Sequence, residues 1–268
     1  MSFLFQYSKF NQSIGNWDVS NVTNMFYMFD EAEVFNRPIK SWNVSNVANM
    51  NHMFNNAYKF NQPIGDWDVS NVTNMSNFFS SCTRFNQDIS KWDVSKVTDM
   101  SRLFDTTLLN QDINTKLINK GQVNEYIAWN VSNVNNMSSI FNYAFQFNQP
   151  IIDWDVSNVT NMNHMFNDAY KFNQPIGDWD VSNVTYMNRM FSTAKNFNQN
   201  ISTKEVTVGS KTYTAWDVSN VINMNRMFEF TNFNQPLNTW DVSNVTNMNG
   251  MFDGAINFDK DHAKWYNS

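Results

Sequence analysis

Few residues in this chain are able to do chemistry. Histidine occurs at His52, His164 and His262, and cysteine only at Cys82. His52 and His164 hold the same place in two nearly identical stretches, Met50 to Phe54 and Met162 to Phe166. A thiolate activated by a remote histidine would make a nucleophile. Cys82, however, stands where other copies of its surroundings carry Ala32 or Ala57, so it reads as a small buried filler. His52 and His164 read as members of a solvated face in preference to a ligand or base. No nucleophile, base and orienting group fall together, and the chain is expected not to be an enzyme.

Two further sets recur at fixed places. Aspartate follows tryptophan at Asp18, Asp68, Asp93, Asp155, Asp180, Asp217 and Asp241. Aligned in a column at a strand-like spacing of about 5 Å, carboxylates repel one another or recruit a cation such as calcium, here on Asp18, Asp68, Asp93, Asp155 and Asp180. The favoured alternative is that each bonds the amides of the turn after it. Ten residues after tryptophan stand Tyr27, His52, Asn77, Arg102, Ser139, His164, Arg189, Arg226 and Gly250. This is the most variable place in an otherwise repetitive chain, and Arg102, Arg189 and Arg226 stand out on an acidic background. A partner's preference can reside in this row, against the plainer reading of a solvated helix face.

The elements that must position these residues are repeats. The tryptophans Trp17, Trp42, Trp67, Trp92, Trp129, Trp154, Trp179, Trp216, Trp240 and Trp265 are separated by 25, 25, 25, 37, 25, 25, 37, 24 and 25 residues. A fixed period of this size marks a stacked array. With Trp at position zero, Val falls at two and five, Met at eight and Phe at twelve. Met or another apolar residue falls at eleven, a small residue at fifteen, Phe at eighteen and Ile at twenty-two. Met25, Met28, Phe29 and Ala32 have the i, i+3, i+4, i+7 spacing of one face of a short helix, with Thr23 or Asn24 as its cap. Proline before the Ile of Phe35-Asn36-Arg37-Pro38-Ile39 breaks any helix, so this piece and Asp-Val-Ser-Asn-Val are expected to be extended. Asn11, Asn61, Asn86, Asn148 and Asn173 each follow a position-eighteen Phe and are expected to form an internal ladder satisfying backbone groups.

One such unit is too small to fold alone, and stability must belong to the array. The expectation is therefore one α/β repeat solenoid over residues 1–268, with about ten stacked coils, each of short extended segments and one short helix. Its parts are an incomplete first coil over 1–16, repeats over 17–264 and a polar C-terminal cap over 258–268. Phe3, Leu4, Tyr7 and Phe10 fit positions eleven, twelve, fifteen and eighteen of the incomplete coil. Residues 49–73 and 161–185 differ only at Asn56 against Asp168, so a block of repeats is duplicated. The two long spacings carry insertions over 114–128 and 202–215. The second has alternating runs around Gly209-Ser210, the mark of a two-residue hairpin. The first, around Lys120-Gly121, is a looser version. Both are expected to project from one edge three coils apart, bringing Tyr126, Lys204 and Tyr213 to a partner.

The net charge of -6 and pI near 5.0 give no basic field for a phosphate backbone, which excludes non-specific nucleic-acid binding. No apolar run is long enough to span a bilayer, and Met1 to Tyr7 lacks the basic start and hydrophobic core of a signal peptide. An uncapped first coil would permit end-to-end self-association.

The unit Trp-Asp-Val-Ser-Asn-Val-Thr-Asn-Met-x-x-Met-Phe-x-x-Ala-x-x-Phe-Asn-Gln-Pro-Ile, seen from Trp154 to Ile176, resembles the repeat of BspA-like leucine-rich repeat surface proteins. The resemblance covers essentially the whole chain, with local departures where Leu109 replaces the Phe and where the repeat after Trp216 is one residue short. It implies a leucine-rich-repeat-like solenoid at a cell surface or outside the cell. It also implies adhesion to, or interaction with, a protein or glycan partner of the host. A structural spacer or self-associating array is the alternative.

Overall fold

The structure, a computed structural model, describes residues 1–266; residues 267 and 268 of the expected cap lie outside the described residues. Tandem repeats stack in register and fit a repeat solenoid, but their local structure differs from the expectation. Among the described residues there is no α-helix. Regular elements are confined to four short strands and one turn of 3-10 helix. The strands are β1 (Lys116–Ile118), β2 (Tyr126–Ala128), β3 (Lys204–Val208) and β4 (Lys211–Ala215), and the 3-10 turn is Lys260–His262.

The short helix expected over residues 25–32 is replaced by tandem turns. Tyr27 and Glu31 have φ of 56° and 54°, and the same two places are left-handed in later repeats, for example His52 with Asn56 and His164 with Asp168. A turn whose third residue has positive φ is four residues long, so two in tandem put positions eight, eleven, twelve and fifteen at their inner corners. That is the spacing of a helical face, produced without a helix. The amides distinguish the two. Met25, Tyr27, Phe29 and Glu31 donate sideways to the carbonyls of Asn49, Asn51, Met53 and Asn55 at 2.8–3.2 Å. Met28, Asp30 and Ala32, between them, donate within the repeat to Met25, Tyr27 and Phe29. A helix would direct every amide back along its own chain. Here half of them join neighbouring repeats, and the backbone is satisfied only in the stack.

Neither expected extended piece forms a strand, and neighbouring repeats pair instead by isolated parallel bridges at position seven, one per step, from Asn24↔Asn49 to Asn223↔Asn247. Side chains supply the remaining cohesion. The indole of Trp42 donates to the Ile14 carbonyl at 3.0 Å and that of Trp67 to Ile39 at 3.2 Å, and this bond recurs to Trp265 on Leu237. Neighbouring indoles lie nearly parallel, with Trp42 and Trp67 6.4 Å apart and Trp216 and Trp240 6.0 Å apart. Beside them run two columns of phenylalanine. Phe166, at position twelve, stacks 5.6 Å from both Phe141 and Phe191 and 3.9 Å from Phe172 of the position-eighteen column.

The asparagine ladder is present but lies at the edge, half-buried or exposed, and is not internal. The Asn173 amide donates to Asn148 Oδ1 at 2.9 Å, and Gln174 Nε2 reaches the same oxygen. The core is already filled by columns of rings and aliphatic chains, which leaves the polar ladder its rim.

Shortened repeats add a side-chain bond. Thr107 and Thr231, where most repeats have Ala, are buried and donate their hydroxyls to the Phe104 and Phe228 carbonyls. The first layer is shortened too, which moves its frame. Where the sequence reading places Phe3, Leu4 and Tyr7 at positions eleven, twelve and fifteen, Phe3, Phe5 and Tyr7 stand at positions ten, twelve and fourteen. Their amides donate to Phe26, Met28 and Asp30, and Phe5 stacks on Phe29 at 5.3 Å. Leu4 is 49% exposed. Counting back from Phe10 slips by one because one residue is missing between Phe5 and Phe10, as between Phe228 and Phe233.

Candidate functional site

The two insertions change the local chain path in the same way. In regular repeats the Trp amide donates to the Ile of its own turn, as Trp42 does to Ile39. After the insertions, Trp129 and Trp216 have φ of 50° and 49°, and their amides donate to Trp92 and Trp179 of the preceding repeat. A left-handed backbone at so bulky a residue is unfavourable. It persists because both indoles are fully buried and hydrogen-bonded to Ile89 and Ile176.

β3 and β4 pair antiparallel around Gly209-Ser210, with Val208 opposite Lys211 and Gly209 at φ 60°. β1 and β2 pair over three residues, with Ile118 opposite Tyr126 and a longer loop between them. Each hairpin folds back over the tryptophan edge and is fastened by a tyrosine. Tyr126 Oη donates to the Lys91 carbonyl at 2.6 Å, and Tyr213 Oη to the Asp178 carbonyl at 2.7 Å.

Under each hairpin lies a cleft. The first, of about 490 Å³, is lined by Trp67, Asp66, Asp68, Lys91, Asp93, Asn124, Glu125 and Tyr126 among others. The second, of about 320 Å³, is lined by Trp154, Asp153, Asp155, Asp178, Asp180, Val208, Lys211 and Tyr213 among others. Adding 87 to the number of Trp67, Asp68, Asp93 or Tyr126 gives Trp154, Asp155, Asp180 or Tyr213, so the clefts are two copies of one site. Each presents a tyrosine face, a tryptophan rim, four carboxylates and one lysine. Burial, then the charges of Asp93 and Asp68, push the Tyr126 phenol above its ordinary range. Burial, then Asp178, Asp180 and Asp155, do the same to Tyr213.

The aspartates after tryptophan have a local duty as well. Asp18 Oδ1 accepts from the Ser20 amide at 3.0 Å and hydroxyl at 2.6 Å, which holds its pKa below the usual carboxylate value. The amide bond recurs at Asp68, Asp93, Asp155 and Asp180. Among the described residues no group of three or more His, Cys, Asp or Glu is arranged to hold a metal ion.

The row at position ten is not a helix face. Its members are left-handed turn corners. Tyr27 and His52 stack at 4.3 Å, Arg226 pairs with Glu229 at 3.2 Å, and the Nδ1 atom of His52 is buried without a hydrogen bond. Burial first, then Arg102, lowers the His52 pKa against an opposing Asp30; burial, then Arg189 and Arg102, lowers that of His164. The structure thus divides the sequence candidates. Arg102, Arg189, Arg226, His52 and His164 form one ridge, while Tyr126 and Tyr213 line the clefts and Lys204, outside their lining, pairs with Asp178 at 2.6 Å. Asn124, Lys211 and the cleft-facing role of Asp68, Asp93, Asp155 and Asp180 were not found by sequence reasoning, although the shift of 87 residues was there to show them. Cys82 is wholly buried, donating to the Ala57 and Phe60 carbonyls, and burial pushes its thiol pKa up.

Comparison with known families now bears on this geometry. The family described as "Mycoplasma protein of unknown function, DUF285" matches residues 1–70, 39–127, 115–213 and 202–268. The chain belongs to this family. Successive DUF285 matches overlap at 39–70, 115–127 and 202–213, the last two within the insertions. No curated protein and no solved structure matches the chain. Among the described residues of this DUF285 chain, no helix is long and apolar enough to cross a membrane.

Proposed function

We propose that this chain is a non-catalytic interaction module of BspA-like type. About ten leucine-rich-repeat-like coils display two hairpins to a protein or glycan partner at a cell surface. The observation that carries the reading is the duplicated cleft: the same tyrosine, tryptophan and aspartates recur 87 residues apart beneath each hairpin. Concave sites with an aromatic wall and a few oriented polar groups suit recognition. The ridge of Arg102, Arg189 and Arg226 adds a second contact surface of opposite charge. Deleting residues 115–127 and 203–214 together should leave the stacked body cooperative in thermal unfolding and remove binding to host-cell surface proteins or glycans. Retention of binding would overturn the role of the hairpins. Unchanged binding after joint substitution of the three arginines would remove the ridge.

A second reading, a spacer that associates with itself, draws on Phe3, Leu4 and Tyr7, which are 51%, 49% and 67% exposed. Light scattering at rising concentration distinguishes the two, since a self-associating array grows and a monomeric module does not.

A further inference from the structure

The second cleft already holds a cation. Lys211 Nζ lies 5.3 Å from the centre of the Tyr213 ring and 3.9 Å from Asp180 Oδ2. Asp180 Oδ1 is meanwhile occupied by the Ser182 amide and hydroxyl. An ammonium over an aromatic face and beside a carboxylate is a favourable arrangement, and here the chain supplies the ammonium itself. The first cleft has the same receptors without that ligand. Tyr126 and Asp93 stand where Tyr213 and Asp180 do, and Asp93 Oδ1 likewise accepts from the Ser95 amide. At the place of Lys211, five residues before the next tryptophan, the chain has Asn124.

Neither nearby cation takes the place. Lys91 lines the cleft, but its charge acts on Asp66 and Asp88, and Lys40 holds Asp66 at 2.8 Å. Glu125 turns its carboxylate to the Gly121 amide within the loop. The first cleft is also the roomier, about 490 Å³ against about 320 Å³.

We propose that the first cleft binds the lysine side chain of a basic peptide segment. Its ammonium sits over Tyr126 and beside Asp93 and Asp68, in the place that Lys211 fills in the second cleft. The acidic net charge of the chain favours the approach of such a segment, and the tyrosine and the two carboxylates fix where it docks. This deepens the interaction-module reading without sharing its test. Hairpin deletion asks whether any partner needs the hairpins, whereas the experiment below asks what one cleft accepts.

The probe is tetralysine, titrated at low salt into the whole chain by calorimetry, with NMR observation of the Tyr126 ring and Trp67 indole signals. The wild-type chain should bind with those signals moving first. N124K should lower the affinity about tenfold by supplying the internal ammonium. N196K, a remote exposed change of equal charge, should lower it less than about twofold. K211N should open the second cleft and raise the stoichiometry by one, with the Tyr213 signal now moving as well. The proposal is overturned if wild-type chain does not bind, if N196K weakens binding as much as N124K does, or if K211N leaves the stoichiometry unchanged. Because K211N gains a site, a folding defect in N124K would not rescue the idea.

Discussion

Phe166 and Val208 stand at the two extremes of this molecule. Phe166 is wholly buried between Phe141 and Phe191, one ring in a column running through successive repeats. Val208 ends β3 64% exposed, beside a two-residue turn in which a β-carbon on Gly209 would meet nothing. In the body each repeat is completed by its neighbours through sideways amides, indole bonds and the asparagine ladder. A hairpin is completed mostly by itself, with one tyrosine hydroxyl and a few lysine contacts tying it down. The stack is therefore cooperative scaffold, and the hairpins are the parts free to differ, as Asn124 differs from Lys211.

The largest test of this contrast is truncation of a column ring. F166A should destabilise the chain by about 3–5 kcal/mol in urea unfolding, whereas V208A should change it by less than about 0.5 kcal/mol. Equal effects would show that body and hairpin are one cooperative unit. Next comes the edge ladder. Asn148 Oδ1 accepts from the Asn173 amide and Gln174 Nε2, both at 2.9 Å. N148A should cost about 1–2 kcal/mol by leaving those donors without their partner. N148D, which keeps the acceptor, should recover most of that loss, and failure to recover would mean that the side chain matters by packing alone.

Removing a hairpin fastening should act locally. Y213F deletes the bond to the Asp178 carbonyl, worth about 1 kcal/mol. Hydrogen exchange of the β3 and β4 amides should quicken about fivefold with the global midpoint unchanged; a shift of the midpoint would join hairpin and body after all.

The smallest effect is of pH on the ridge. Burial favours the neutral imidazoles of His52 and His164, so their folded pKa values lie below the ordinary value. The unfolded chain then takes up protons that the folded chain refuses. Their contribution is complete above about pH 6.5 and is lost as pH falls from there through the lowered values. Replacing both by Asn, already present in a left-handed corner at Asn77, should flatten that slope. Thermal midpoints across the range measure it, and an unaltered slope would show that the burial does not govern their titration.

Much of this was legible in the residues. Ten tryptophans at a nearly fixed period required an in-register stack, and the aspartates were legible as turn-binding residues because serine two places on supplies an amide. Gly209-Ser210 between alternating runs marked a tight turn. The helix was misread at Met25, Met28, Phe29 and Ala32 because tandem four-residue turns and a helical face share one spacing. The clefts were missed because their parts are distant in sequence: Tyr126 lies 35 residues from Lys91, whose carbonyl its hydroxyl meets.

The sequence alone determined which side chains face inward and that every layer needs the next, since a repeated apolar place must find its own kind above and below. Only the tertiary structure decided which way the amides point. Their direction depends on whether a carbonyl of the same turn or of the neighbouring repeat lies within reach, and side-chain spacing does not record it. The same holds for the hairpins. Their fold over the tryptophan edge, and with it the pairing of tyrosine and aspartate in two clefts of unequal charge, follows from contacts that form only after the repeats have stacked.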